Sequence, residues 1–155
     1  MIIGLHHVAV SVPDFERGLA FYRDALGFEQ VQEGQWRGDN PMADRAIGLP
    51  RTSAKFVMLK AANAFVELWK YDAPEPADRQ SRPCDYGYPH LALQVSDIEA
   101  ECQRLIEAGM TLHGELTDFG SVSAVYGMDP FGNIIELYEI RDDRIAQLSA
   151  GRNQS

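Results

Sequence analysis

The chain repeats itself. His7-Val-Ala-Val-Ser-Val-Pro-Asp14 and His90-Leu-Ala-Leu-Gln-Val-Ser-Asp97 align without a gap, each running from a histidine to an aspartate. Both copies continue into a helix-like pattern that stops at a glycine, Gly27 in one and Gly109 in the other. Both later reach an aliphatic-Glu-Leu-aromatic segment, Val66-Glu67-Leu68-Trp69 and Ile135-Glu136-Leu137-Tyr138. A duplication that spans most of 155 residues restricts the fold to two copies of one supersecondary unit. The His-to-Glu interval is 60 residues in the first copy and 46 in the second, and the polar stretch Glu33 to Arg51 reads as a long loop that absorbs much of the difference.

Within each copy the apolar period changes from helical to alternating. Phe15, Leu19, Tyr22 and Leu26 recur at helical spacing, with Pro13 suited to the start and Gly27 to a left-handed end. In the second copy Ser96 and Glu99 read as a capping box, and Ile98, Cys102 and Leu105 as the buried stripe that ends at Gly109. Ala54 to Leu59, Ala64 to Trp69, Ser121 to Met128 and Asn133 to Ile140 read as strands, and Asp129-Pro130-Phe131-Gly132 as a tight turn. Each copy is therefore a strand, a helix and about three further strands, an α+β arrangement. The expected organisation is a first module over residues 1–71, a Pro-bearing linker over 72–84, a second module over 85–140 and a polar tail over 141–155 with a short helix around Ile145 and Leu148.

Composition narrows the function. Fourteen basic against 23 acidic residues give a net charge of −9, which repels phosphate backbones and argues against nucleic acid as a partner. No apolar run approaches the roughly 20 residues of a membrane helix, and Met1-Ile2-Ile3-Gly4 lacks a basic leader, so a cytoplasmic location is expected. Cys84 and Cys102 are too few for a disulfide framework or a thiolate cluster.

Strand alternation then singles out four ionisable residues. His7 shares a face with Ala9 and Ser11, and His90 with Ala92 and Gln94. Glu67 goes with Phe65 and Trp69, and Glu136 with Ile134 and Tyr138. In all four segments the aliphatic neighbours point the other way, towards the face a helix must cover, so the ionisable residue lies on the face that would line a pocket. A half-covered carboxylate needs a partner. Two carboxylates and two imidazoles converging on one divalent cation would satisfy one another, and a donor set of N and O without thiolate suits Ni, Zn, Mn, Fe or Co. His6 and His113 have no repeat partner and are given no role.

With His7, Glu67, His90 and Glu136 in repeat-related places over residues 3 to 140, the chain resembles the vicinal oxygen chelate superfamily of glyoxalase I, extradiol dioxygenases, methylmalonyl-CoA epimerase and fosfomycin and bleomycin resistance proteins. The resemblance implies paired βαβββ modules that form a cup-shaped mixed sheet around a metal held by those four residues. It implies a homodimer acting on a small molecule, with Glu67 and Glu136 as candidate bases. Phe65, Trp69, Tyr138, Trp36, Gln94 and Ser11 would line the substrate pocket. Four protein ligands leave two open positions, which suits a glyoxalase I-like lyase or isomerase working through a metal-bound enediolate on a carbonyl or hydroxy-carbonyl compound. An extradiol-type dioxygenase and a non-catalytic drug-binding protein are the alternatives. Ser11 and Tyr71 stand where bacterial glyoxalase I enzymes carry an Arg and an Asn for glutathione, which argues against that cosubstrate. The strand Ala54 to Leu59 lacks the acidic residue expected of the CoA epimerases.

Overall fold

The computed structural model describes residues 1–78 and 81–148. The chain divides into two compact units, Met1–Arg79 and Gln80–Ser155. Unit 1 contains β1 (His7–Ser11), α1 (Phe15–Leu19), a π-helical continuation of α1 (Ala20–Ala25), β2 (Glu29–Arg37), α2 (Pro41–Ile47), β3 (Ser53–Lys60) and β4 (Phe65–Ala73). Unit 2 contains β5 (Leu91–Val95), α3 (Ile98–Glu107), β6 (Thr111–Leu112), β7 (Thr117–Asp118), β8 (Val122–Met128) and β9 (Ile134–Ile140).

Each unit builds a mixed sheet in the same order. The first sheet runs β1-β4-β3-β2, with β1 parallel to β4 and the other pairs antiparallel. The second runs β5-β9-β8-β6, with β5 parallel to β9 and β7 also paired to β8. The α+β architecture read from the sequence is present, and so are the four expected strands as β3, β4, β8 and β9. The second strand of the module is continuous in unit 1 and broken in unit 2. There the N–H groups of His113 and Gly114 both donate to the Tyr126 carbonyl, so two residues oppose one and the ladder is interrupted between β6 and β7.

The helices are capped by the aspartates that close the repeated motif, not by their neighbours. Asp14 accepts from the Arg17 N–H and Asp97 from the Ala100 N–H, each at 3.1 Å. Pro13 precedes the cap, and Ser96 is displaced from it by Asp97, which corrects both expected helix starts. In the π-helical segment the Leu26 N–H reaches back to the Phe21 carbonyl. This wider turn buries the adjacent Phe21 and Tyr22 together and leaves Leu26 only half-buried. The ends are as expected: Gly27 and Gly109 adopt φ of 74° and 103°.

Two further expectations change. The stretch Glu33 to Arg51 is not a plain loop, because β2 continues to Arg37 and α2 follows, capped by Asn40 and ended at Gly48. The tail holds a turn at Asp143–Arg144 and no helix up to Leu148, and its remainder lies outside the described residues. Among the described residues no helix is long and apolar enough to cross a membrane.

Candidate functional site

Sheet register brings each expected His–Glu pair together. In unit 1, His7 lies opposite Phe65 and Ala9 opposite Glu67, so the imidazole and carboxylate share a face on adjacent parallel strands, two residues out of step. In unit 2, Ala92 lies opposite Glu136 and Leu91 opposite Ile135, which gives His90 the same offset. Nε2 of His7 is 3.5 Å from Oε2 of Glu67, and Nε2 of His90 is 3.3 Å from Oε2 of Glu136. The carboxylates are 15% and 14% exposed, while Leu68, Ile135 and Leu137 beside them are fully buried on the opposite face. His7 likewise lies on the face opposite the buried Val10, and His90 on the face opposite the half-buried Leu91 and Leu93. Among the described residues no group of three or more His, Cys, Asp or Glu that could hold a metal ion occurs, and each unit holds one His–Glu couple.

The His and Glu side chains are held by neighbours of which the sequence marked Phe65 and Trp69, as lining residues, but not His6 or Tyr126. Nδ1 of His7 lies 2.9 Å from Nδ1 of His6, and the His6 ring stacks on Phe65 at 4.8 Å. His6 thus orients the ring nitrogen of His7 remote from Glu67. The Trp69 indole N–H donates to Oε2 of Glu67 at 2.7 Å. In unit 2 the corresponding support comes from Tyr126, which lies opposite Glu136 in the β8–β9 ladder and packs edge-on against His90 at 5.1 Å. Burial first, then the charge of Glu136 and a hydrogen bond to it, push the Tyr126 phenol above its ordinary value.

Unit 1 carries an aromatic wall beside Glu67. Trp69 stacks on Phe56 at 4.8 Å and on Tyr71 at 5.3 Å, and Trp36 meets Trp69 edge-on at 5.7 Å. Burial, then the nearby Glu67 charge, raises the Tyr71 phenol. Gly34 makes the wall possible, since a Cβ there would stand 2.5 Å from the Phe56 ring. The Trp36 indole N–H donates to the Thr52 hydroxyl at 2.8 Å, and that hydroxyl donates to Asp44 of α2 at 2.5 Å. Asp44 also accepts the N–H groups of Arg51 and Thr52, and these bonds, the Thr52 hydroxyl foremost, hold its carboxyl below the usual range.

The other expected lining residues fall in different places. Ser11 lies opposite Trp69, and Tyr138 opposite Gln94 and Ala124. The Gln94 amide is engaged by the tail, accepting from the Leu148 N–H at 2.7 Å and donating to its carbonyl at 3.4 Å. A cleft of about 480 Å³ in unit 1 is lined by Phe15, Trp36, Lys55 and Lys70 among others, and touches neither His7 nor Glu67. Phe56, Tyr126 and His6 were missed from sequence. Phe56 reads as one more apolar residue of β3, and only register shows that it faces Trp69.

The chain is similar to several known proteins. The family model described as the Glyoxalase/Bleomycin resistance protein/Dioxygenase superfamily matches residues 4–137. An ethylmalonyl-CoA/methylmalonyl-CoA epimerase of Cereibacter sphaeroides is 34% identical, covering 74% of this chain and 77% of that protein. A 2-epi-5-epi-valiolone epimerase of an Actinomyces species is 29% identical, covering 89% of this chain and 80% of its own. The crystal structure of a glyoxalase-family protein from Bacillus cereus superposes with a TM-score of 0.82 at 21% identity, covering 92% of this chain and 97% of that one.

Proposed function

This chain belongs to the Glyoxalase/Bleomycin resistance protein/Dioxygenase superfamily, and from that premise we propose that it is a metal-dependent isomerase or lyase that moves a proton on the carbon beside a carbonyl group. The observation that carries this reading is the pair of His–Glu couples at one register offset in two repeated units. His7, Glu67, His90 and Glu136 would hold one divalent cation. The donor set fits: two imidazoles and two carboxylates balance the ion's charge, and N···O spacings of 3.3 and 3.5 Å are close to the roughly 3.0–3.4 Å between donors that bind one ion at about 2.1 Å. When bound, the ion supplies Lewis acidity to a substrate oxygen.

The chain's own residues then divide the work of proton transfer. Glu67 is held at Oε2 by the Trp69 N–H, which fixes its direction. Glu136 is the better candidate for receiving and returning a proton, because its partner Tyr126 is a hydroxyl that both donates and accepts. Two carboxylates supply two candidate proton acceptors, and epimerisation requires removal and return of one proton. The names of the two epimerase relatives favour this over a lyase reaction. A small-molecule substrate, a cytoplasmic location and a homodimeric assembly belong to the same proposal.

The test is solvent deuterium exchange. Protein reconstituted with Mn, Co, Ni or Zn is incubated in D2O with a panel of α-hydroxy ketones and thioesters, and loss of the α-proton signal is followed by NMR. Metal-dependent exchange that falls at least 100-fold in Glu136→Gln supports the reading. Less than a tenth of an equivalent of metal after reconstitution, with no exchange, would replace it with a binding protein. Oxygen uptake with catechols and Fe(II) would replace it with a dioxygenase.

A further inference from the structure

We infer that the face of unit 1 carrying Glu67 receives a flat, uncharged group, so that the substrate is an aryl or cyclic carbonyl compound without a phosphate, phosphonate or carboxylate at that end. This rests on the proton-transfer reading above and names the substrate class of the same site. Phe56, Trp69, Tyr71 and Trp36 form one contiguous aromatic surface beside the carboxylate. Both indole N–H groups are spent inside the protein, on Glu67 and on Thr52. What the indoles offer a ligand is therefore ring surface, which recognises planar or C–H-rich faces rather than hydrogen-bonding arms.

Charge points the same way. Arg37 alternates to the side away from Trp36, and Lys55 and Lys70 lie opposite one another in the ladder on the face away from Trp69. Lys55 is paired with Glu16 at 3.2 Å and packs over the Phe15 ring, and Lys70 is paired with Asp72. The one strand cation that shares the Glu67 face is Lys60, which is paired with Glu29 at 4.0 Å. It sits four residues, or roughly 13 Å, along β3 from Phe56. The remaining strand of unit 1, β1, contains neither Lys nor Arg. An anionic arm laid on Phe56, Trp69 and Trp36 would thus be desolvated where no strand Lys or Arg lies beside those rings, the one on that face, Lys60, being four residues along β3 and paired with Glu29.

The two tryptophans of the chain are Trp36 and Trp69, so tryptophan emission from the intact protein reports on the wall directly, whether or not turnover occurs. We would titrate the full chain with 2-hydroxyacetophenone, with 4-(2-hydroxyacetyl)benzoate, which carries a carboxylate on the ring, and with dihydroxyacetone. Affinities would come from calorimetry and occupancy from emission, each with and without Mn(II). The expected result is that 2-hydroxyacetophenone binds at least tenfold more tightly than either comparator and perturbs the emission saturably. Phe56→Ala should weaken it about fivefold or more, and Phe56→Leu, which keeps the bulk, by less. Equal or tighter binding of the benzoate, parity with dihydroxyacetone, or no binding of the aryl ketone overturns the inference. The two readings fail separately. If Mn(II) does not bind but the ranking holds, the substrate class stands and the catalytic reading falls. If Mn(II) binds and the ranking is reversed, the inference alone falls.

Discussion

Asp44 shows how far the support of the candidate site reaches. Its carboxylate holds Thr52, which holds Trp36, which abuts Trp69, the donor to Glu67. Because these bonds lower the Asp44 pKa, folding favours its ionised form. The stability this adds is complete above the ordinary aspartate value of about 4 and is lost as pH falls through the lowered value. Asp44→Asn is therefore expected to lower the urea midpoint at pH 7, with the difference from wild type closing below about pH 4. A difference that persists unchanged in acid would show that Asp44 acts by something other than its charge. At this scale the strand face on which His7, Glu67, His90 and Glu136 lie was legible because a two-residue period is local. His6, Phe56 and Tyr126 were not, since what they touch depends on packing across the sheet.

Among the elements, the helix starts give the sharpest contrast between reading and structure. The repeated motif ends on aspartate in both copies, and that aspartate is the N-cap. Asp14→Ala and Asp97→Ala should each cost about 1 kcal/mol, whereas Ser96→Ala should stay within about 0.5 kcal/mol. Chemical denaturation of the three variants measures both. A larger loss from Ser96→Ala than from Asp97→Ala would restore the capping box. The crossover between β2 and β3 teaches a related lesson. Its polar composition suggested a loop, yet Asn40, Pro41 and Gly48 supply a cap, a first-turn proline and a left-handed end for α2. Those signals were in the sequence and were outweighed by the expectation that charged, Gly-bearing stretches stay irregular.

For the molecule as a whole, the proposal that four donors serve one ion makes a thermodynamic prediction. A cation at 100 times its Kd stabilises the folded state by about 2.7 kcal/mol, which for a chain of this length raises Tm by about 5–10 °C. His7→Ala in unit 1 and His90→Ala in unit 2 should each abolish most of that shift in differential scanning calorimetry, because either loss weakens the same ion. If each variant instead kept about half the shift, each unit would be binding its own metal. From the sequence β2 was half read as loop, and β6 and β7 were not located. The duplication, the α+β class, the strands β1, β3, β4, β5, β8 and β9 and the face on which each ionisable residue lies were determined by the sequence by itself. They follow from alternation, helical period and a repeated motif, and each of these is written within a few consecutive residues. Only the tertiary structure decided that Trp69 and Tyr126 hold the two carboxylates, that Gly34 gives way to Phe56, and that the tail takes the Gln94 amide. Apart from Trp69, these partners stand 10 to 54 residues apart in the chain, and their meeting depends on strand register and chain return, which no local pattern of residues specifies.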